Sequence, residues 1–226
     1  PTLGQIAITP FGVDMEAYAD AVPMPRAQPG RWVVGTVKTM ADKYGIDTLI
    51  QAFALLLASL QASDPEMARQ LHLRLVGDGP QMQALKQLAT QLGVTERVQF
   101  VGHVDHTQVP HELAQLDVYV ALSRLDSESF GVAIIEAGAA ARPVVVSDAG
   151  GLPEVVVDGV TGLVVPRENP QAAADAIERL LRDADLRQRM GAAARQHVAQ
   201  RYSWDACVET MLKVYERLVA RHRSSR

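Results

Sequence analysis

A single cysteine in 226 residues, Cys207, excludes an internal disulfide framework and fits a reducing compartment. Aromatic residues make up only 5%, too few for the stacking platforms that hold single-stranded nucleic acid. Basic residues are outnumbered, 22 Lys and Arg against 26 Asp and Glu, so the chain lacks the positive excess that a phosphate backbone attracts. No nucleic-acid partner is expected. Nor is there a run of about 18 apolar residues, the length a membrane span requires. The opening Pro1-Thr2-Leu3-Gly4 lacks the charged-then-apolar order of a secretory signal, which makes the cytoplasm the expected location. Without an initiator Met, this opening reads as a piece excised from a longer chain.

What the sequence does have is apolar substance. Hydrophobic residues make up 48%, enough for one sizeable α/β domain. Residues 1–30 carry prolines at positions 10, 23, 25 and 29 and no sustained period. They read as a connecting segment with a short strand at Gln5–Ile8. From Arg31 the pattern changes. Trp32–Val37, Leu71–Val76, Val98–Val101, Val118–Ala121, Val144–Val146 and Gly162–Val165 are short runs, mostly of Val and Leu, bounded by Gly, Asp or Pro, as buried strands are. Between them lie helix candidates at 46–61, 81–92, 107–115, 130–141 and 170–182. In the first, Ile46, Leu49, Ile50, Phe53, Leu56 and Leu57 share one face. This alternation predicts an α/β fold, a doubly wound parallel sheet with helices on both faces and right-handed crossovers. Two further helices follow at Asp183–Gln200 and Ser203–Arg221, the second capped by Ser203 and striped with Trp204, Val208, Met211, Leu212, Tyr215, Leu218 and Val219. The expected organisation is a linker at 1–30, a Rossmann-like domain at 31–201 and a final helical segment at 202–226.

Ligands of open parallel sheets bind beyond the carboxyl ends of the strands. Here Leu71–Val76 runs into Gly77-Asp78-Gly79-Pro80, and Val144–Val146 into Ser147-Asp148-Ala149-Gly150-Gly151. Such glycines admit a ligand to the backbone, or they only make tight turns; for Gly77 and Gly79 both readings stand. The segment Glu128-Ser129-Phe130-Gly131-Val132 leads a polar loop into an apolar helix beginning near Phe130. Free amides and the dipole at a helix start suit phosphate. Glu136 is a lone carboxylate among Val, Ala and Ile, and must reach a cleft or a polar partner. With Glu128 on the other side of the helix start, two hydroxyl-binding carboxylates flank a phosphate site. A nucleotide sugar has that layout: sugar, pyrophosphate, ribose. Lys38 and Lys43, at the end of the first strand and in the next loop, supply charge for the pyrophosphate, unless they are merely solvated.

Other chemistries are poorly served. Gly35-Thr36-Val37-Lys38 lacks the G-x-G-x-x-G of a dinucleotide site, and no P-loop is present. His111-Glu112-Leu113-Ala114-Gln115 begins like a zinc-protease motif but has no second His. His103 and His106 lack further ligands nearby, so no metal is expected. Glu128 and Glu136 do not flank a single bond as glycosidase carboxylates must.

The ordered motifs resemble the retaining glycosyltransferase family 4, of the GT-B fold, over nearly the whole chain after residue 8. Ile8-Thr9-Pro10-Phe11-Gly12-Val13-Asp14 is similar to its interdomain linker, Gly77-Asp78-Gly79-Pro80 to its GDGP turn and Phe100-Val101-Gly102-His103-Val104 to its nucleotide-base loop. Glu128 and Glu136 fit its E-x7-E signature. Ala149–Glu154, Asp158–Gly162 and Tyr202-Ser203-Trp204 complete the series.

This resemblance implies roles. Glu128 binds donor-sugar hydroxyls; amides around Ser129, Phe130, Gly131 and Val132 hold the phosphates; Glu136 takes the ribose. The loop Gly102, His103 and Val104 meets the base through backbone. Lys38 and Lys43 keep the family's spacing on the pyrophosphate, but Lys38 replaces an Arg and Tyr44 intervenes before Gly45. The implied reaction is metal-free, retaining transfer from a nucleotide-diphosphate sugar to a glycan or lipid-linked acceptor, in glycan, lipopolysaccharide or glycolipid synthesis. The acceptor site belongs to an N-terminal domain absent from this chain, through which the enzyme would reach the inner face of a membrane. Without that domain the Trp204–Val219 stripe is expected to be partly uncovered and open to self-association. A nucleotide-sugar 2-epimerase of the same fold and a non-catalytic nucleotide-sugar-binding module are the alternatives.

Overall fold

The computed structural model describes residues 9–21, 30–127 and 130–224, and side chains up to residue 220; the strand expected at Gln5–Ile8 lies outside the described residues. Six parallel strands form one sheet: β1 (Trp32–Val37), β2 (Leu71–Val76), β3 (Val98–Gly102), β4 (Val118–Ala121), β5 (Val144–Ser147) and β6 (Gly162–Val165). Their spatial order is β3-β2-β1-β4-β5-β6. The helices are α1 (Ile46–Ser63), α2 (Pro65–Gln70), α3 (Met82–Gln91), α4 (Val109–Ala114), α5 (Val132–Ala139), α6 (Leu152–Val155), α7 (Pro170–Arg182), α8 (Ala184–Arg201) and α9 (Trp204–Ser224). The doubly wound parallel sheet expected from the sequence is thus the observed one.

Side-chain alternation along each strand builds two cores. Trp32, Val34, Leu73, Val118, Val120 and Val145 point to the layer of α1, α3 and α7. Val33, Tyr119, Ala121, Val144 and Val146 point to the layer of α4, α5 and α6. By length and hydropathy alone α1 could cross a membrane, but Leu49, Ile50, Phe53, Leu56 and Leu60 are almost wholly buried in the first core. Burying each such side chain contributes about 1.5–3 kcal/mol. Two short helices escaped the periodicity reading. α2 opens on an Asp64 cap, whose carboxylate accepts from the Met67 amide at 3.0 Å, followed by Pro65 in its first turn. α6 is a four-residue turn after Gly150-Gly151.

The chain's two flanks are folded onto this body. Residues 15–21 form a turn containing a 3-10 segment, Glu16–Tyr18, held from below by Arg142, which is buried and donates to the carbonyls of Leu116 (2.7 Å) and Ala21 (2.6 Å). Val13 pairs with the turn before α9: its N–H donates to the Tyr202 carbonyl at 2.7 Å, and its own carbonyl accepts from Trp204 at 3.3 Å. Gly12 permits this, because a Cβ there would lie 2.6 Å from the Trp204 ring. Ser203 caps α9 as expected, its Oγ accepting from the Ala206 amide at 3.2 Å. The apolar stripe of α9 is open: Trp204, Val208, Leu212, Tyr215, Leu218 and Val219 each expose about half their surface.

Helix α8 crosses behind α5 at Gly191, where an added Cβ would stand 2.3 Å from the Ala141 carbonyl oxygen. Helix propensity alone favours Gly191→Ala by about 1 kcal/mol. The backbone clash reverses the sign, and a net loss of about 2 kcal/mol is expected. Urea unfolding checks it; a stabilised variant would remove this contact from the account.

Candidate functional site

Strand order reverses at β1 and β4, the central pair. Crossovers from β1 leave to one side and those from β4 to the other, so the loops beyond their carboxyl ends diverge and leave a crevice. Among the described residues, Lys38, Lys43, His103, Val104, Phe130 and Gly131 lie on loops that follow β1, β3 and β4, Gly102 ends β3, and Glu136 lies in α5.

Three of those loops are locked into one wall. The Lys38 amide donates to the Val76 carbonyl at 2.9 Å, Met40 to Asp78 at 3.0 Å, Gln81 to Met40 at 2.9 Å and Gly77 to Gly102 at 2.8 Å. Across the crevice, the Arg124 amide reaches the Lys43 carbonyl at 2.9 Å. Such approach leaves no room for side chains. A Cβ on Gly77 would lie 2.0 Å from the Lys38 oxygen, on Gly79 2.5 Å from that of Met40 and on Gly45 2.0 Å from that of Leu122. At Gly77 and Gly79, then, the space a side chain would take is filled by the β1 loop.

Lys38 and Lys43 come together. The Lys38 ammonium stands 4.4 Å and that of Lys43 4.7 Å from the centroid of Tyr44. Tyr44, an intrusion by the family pattern, thus supplies one ring to both cations. The turn carrying Lys43 and Tyr44, Asp42–Tyr44, closes on Gly45 in the left-handed region (φ 60°).

An ionic belt that the sequence reading missed secures the next loops. Arg124 donates to Asp42 at 2.9 Å and to Asp47, whose hydrogen bond is the main reason its pKa is raised. Arg167 donates to Asp126 (2.9 Å) and Asp148 (3.3 Å), and Asp126 also accepts from the Gly150 amide at 3.2 Å. These bonds hold Asp126 below the ordinary carboxylate range, Arg167 first and Gly150 second. The belt pins the β4–α5 loop up to its approach to Glu128. Glu128 and Ser129 themselves lie outside the described residues.

Phe130 does not begin the helix, as the sequence reading expected. Gly131 adopts φ 72° and ψ 44°, left-handed geometry that a right-handed helix cannot include, so α5 starts at Val132. Phe130 is instead an anchor, its ring edge-on to Phe11 at 5.7 Å and to Tyr202 at 5.8 Å. Ile134 and Ile135 turn their N–H groups to the Gly131 carbonyl (2.9 and 3.3 Å), and among the described residues no backbone carbonyl takes the amides of Val132 or Ala133. A helix start of this kind, with its dipole, suits an anion.

Glu136 follows four residues later, about 6 Å along the axis at 1.5 Å per residue. It is only 9% exposed. Its polar surroundings are the Tyr18 hydroxyl, which donates to it, and His106, whose Nε2 lies 3.7 Å from its Oε1. Burial raises its pKa; His106, Tyr18 and Lys38 pull against that rise. The carboxylate borders a cleft of about 770 Å³ between α5, the start of α4 and the linker, lined also by Phe11, Tyr18, His106 and Trp204. The β3 loop lies beside it. Gly102 has φ 88° with nothing within 4 Å of a would-be Cβ, His103 is exposed and Val104 is half-buried. Glu112, in the truncated zinc-protease-like stretch, is bound elsewhere: Arg74 donates to it from both Nε and Nη2 at 2.7 Å. No cluster of three or more His, Cys, Asp or Glu suited to a metal occurs among the described residues.

Residues 23–197 match the family described as "Glycosyl transferases group 1". The chain is 34% identical over 183 residues to the GDP-mannose-dependent alpha-(1-6)-phosphatidylinositol monomannoside mannosyltransferase of Mycobacterium tuberculosis, covering 77% of this chain and 45% of that protein. Among solved structures, sucrose-phosphate synthase of Thermosynechococcus elongatus superposes with a TM-score of 0.79 at 30% identity, over 96% of this chain and 53% of that one. HepE of Anabaena, solved with UDP-glucose, gives 0.74 at 26% identity, over 92% and 56%. The chain spans about half the length of the curated relatives it matches.

Two glycines allow a test of the locked wall. Gly77→Ala meets both a positive φ and the Lys38 backbone, and is expected to cost about 3 kcal/mol or more. Gly102→Ala meets only the positive φ and is expected to cost about 1 kcal/mol. Equal losses in urea unfolding would remove the backbone contact as the cause.

Proposed function

The chain belongs to the group 1 glycosyltransferase family and has the Rossmann-like fold of one half of a GT-B enzyme, and from that premise we propose that it holds a nucleotide-diphosphate sugar at the β1–β4 crevice. One observation carries the reading. A buried carboxylate, Glu136, sits one turn inside a helix whose first two amides have no backbone acceptor among the described residues, within electrostatic reach of Lys38. Cation, amides and carboxylate in that order fit a diphosphate followed by a ribose.

In this reading the diphosphate lies between the Phe130–Val132 amides and the ammonium groups of Lys38 and Lys43, without a metal. Glu136 accepts from the ribose hydroxyls, and the Gly102–Val104 loop borders the base. Glu128 accepts from the donor sugar. Transfer breaks the bond between the anomeric carbon and the phosphate oxygen and forms one to an acceptor hydroxyl, with configuration retained. The charge left on the nucleoside diphosphate grows beside Lys38, Lys43 and the α5 dipole, which favour the transition state over the bound donor. Catalytic roles therefore fall to Glu128, Lys43 and Lys38.

The acceptor, a glycan or lipid-linked glycan, is bound by a separate N-terminal domain, joined through a linker at 1–30 to the donor domain at 31–201 and crossed by the helix at 202–226. The site of action is the cytoplasm or the inner face of a membrane. A relative named as GDP-mannose-dependent and a structural neighbour holding UDP-glucose make GDP- and UDP-sugars the donors to test first. Transferase names among the relatives favour transfer over 2-epimerisation or binding without turnover. The piece alone should hold donor without transferring it, and its open α9 stripe should let it self-associate.

A donor panel offered to the full-length protein is expected to yield a glycoside with the donor's anomeric configuration; epimer formation or binding without turnover would favour the alternatives. Glu136→Gln should weaken nucleoside-diphosphate binding by about 1.5–3 kcal/mol, the value of one charge-assisted hydrogen bond, as read by calorimetry. Unchanged affinity would sink the ribose assignment. Glu128→Ala should reduce transfer far more than nucleoside-diphosphate binding, whereas equal losses would place Glu128 away from the sugar. For α9, sedimentation at rising concentration is expected to show association of residues 1–226, and a monomer throughout would exclude it.

A further inference from the structure

The linker brings to the crevice a side chain that the proposed function leaves unused. Tyr18 is 3% exposed and lines the same cleft as Glu136, with its hydroxyl paired to that carboxylate. Its backbone is fixed independently of that bond. The Asp14 carboxylate accepts from the Glu16 amide at 2.9 Å and starts the turn, while the Ala21 amide donates back to the Tyr18 carbonyl at 3.2 Å. Arg142 holds the Ala21 carbonyl at 2.6 Å, and Arg195 reaches the Tyr18 carbonyl at 3.4 Å. The ring belongs to the second core. A phenylalanine would satisfy that packing. The hydroxyl is the part that packing does not require.

Glu136 needs such a partner. It projects from an otherwise apolar helix, and burial is the largest influence on it, favouring the protonated form. The groups facing it are Tyr18 from the linker, His106 from the loop before α4 and Lys38 from the end of β1. Asp14 adds negative charge near Tyr18, and His111 of α4 lines the same cleft. His106 is largely exposed, so its help is screened by water. Tyr18 is not: burial first, and then the Glu136 charge, hold its proton more tightly than an ordinary phenol holds its own.

We infer that Tyr18 is a positioning residue of the donor site, holding the Glu136 carboxylate oriented so that the docked linker turn sets the affinity for the nucleoside diphosphate. The inference rests on the reading of Glu136 as the ribose-binding carboxylate. Accepting from two vicinal hydroxyls requires a carboxylate with one oxygen turned to each. A bond from Tyr18 to one edge leaves the other lone pairs aimed at the cleft. The sign of the pH effect follows. Ribose binding uses the ionised form, so affinity is present above the Glu136 pKa and is lost as pH falls through it. Removing the Tyr18 hydroxyl takes away an influence that lowers this pKa, and the loss must begin at higher pH.

Calorimetric titration of the full-length protein with UDP and GDP, from about pH 5.5 to 8.5, tests this with Tyr18→Phe, Glu136→Gln and the double variant. Tyr18→Phe is expected to weaken binding about threefold to tenfold near neutral pH and to move the low-pH loss upward by about half a unit or more. In the Glu136→Gln background the same change should have little effect, since the group through which it acts is gone. An unmoved pH midpoint, or an equal loss in both backgrounds, would overturn the inference and leave Tyr18 as packing. Should Glu136→Gln itself leave affinity unchanged at every pH, the ribose reading fails first and this inference with it. That outcome is distinct from a weakened Glu136→Gln beside an unaffected Tyr18→Phe.

Discussion

The reversal of strand order between β1 and β4 is the constraint from which the rest of the site follows. A parallel sheet needs crossovers, and right-handed crossovers from neighbouring strands must part wherever the order turns round. The parting leaves an opening that no strand can fill. Lys38 ends the strand on one side; the loop to α5 leaves the strand on the other. Most of the polar groups at the crevice are attached to one of these two exits or to the loops that brace them, and the linker adds Tyr18. The bracing depends on backbone meeting backbone, at Gly45 against Leu122 and Gly77 against Lys38. Larger residues there would push the walls apart, and the lysines would move with them.

Charge is distributed unevenly around this opening. The arginines of the belt, Arg124 and Arg167, are matched to aspartates and act on geometry rather than on ligand. Lys38 and Lys43 both stand over one neutral ring, that of Tyr44. Tyr44 thus gathers two like charges at the edge of the crevice. Glu136 is the counterweight, a carboxylate whose burial makes its ionisation depend on neighbours.

The sheet and its long helices were legible in the sequence because each strand is a short run of Val and Leu between breakers, and because α1 and α7 repeat their apolar residues at helical spacing. The start of α5 was misplaced by two residues, since periodicity does not register that Gly131 turns left-handed. The pair Asp64-Pro65 did announce α2, but six residues are too few for a period to show. The Arg124 and Arg167 contacts were invisible for a different reason. Arg124 lies 82 residues from Asp42, and only the strand order brings them together. Tyr18 was hidden likewise: nothing in a proline-bounded linker signals that its one buried hydroxyl meets a carboxylate more than a hundred residues away. Glycine was legible as a need for space, though not for whose space it is.

The pairing of Val13 with the Tyr202–Trp204 turn has a mechanical consequence. It clamps the linker to the turn that launches α9, and the edge-on rings of Phe11, Phe130 and Tyr202 join both to the threshold of α5. A displacement of either flank is therefore carried to the helix start that borders the crevice.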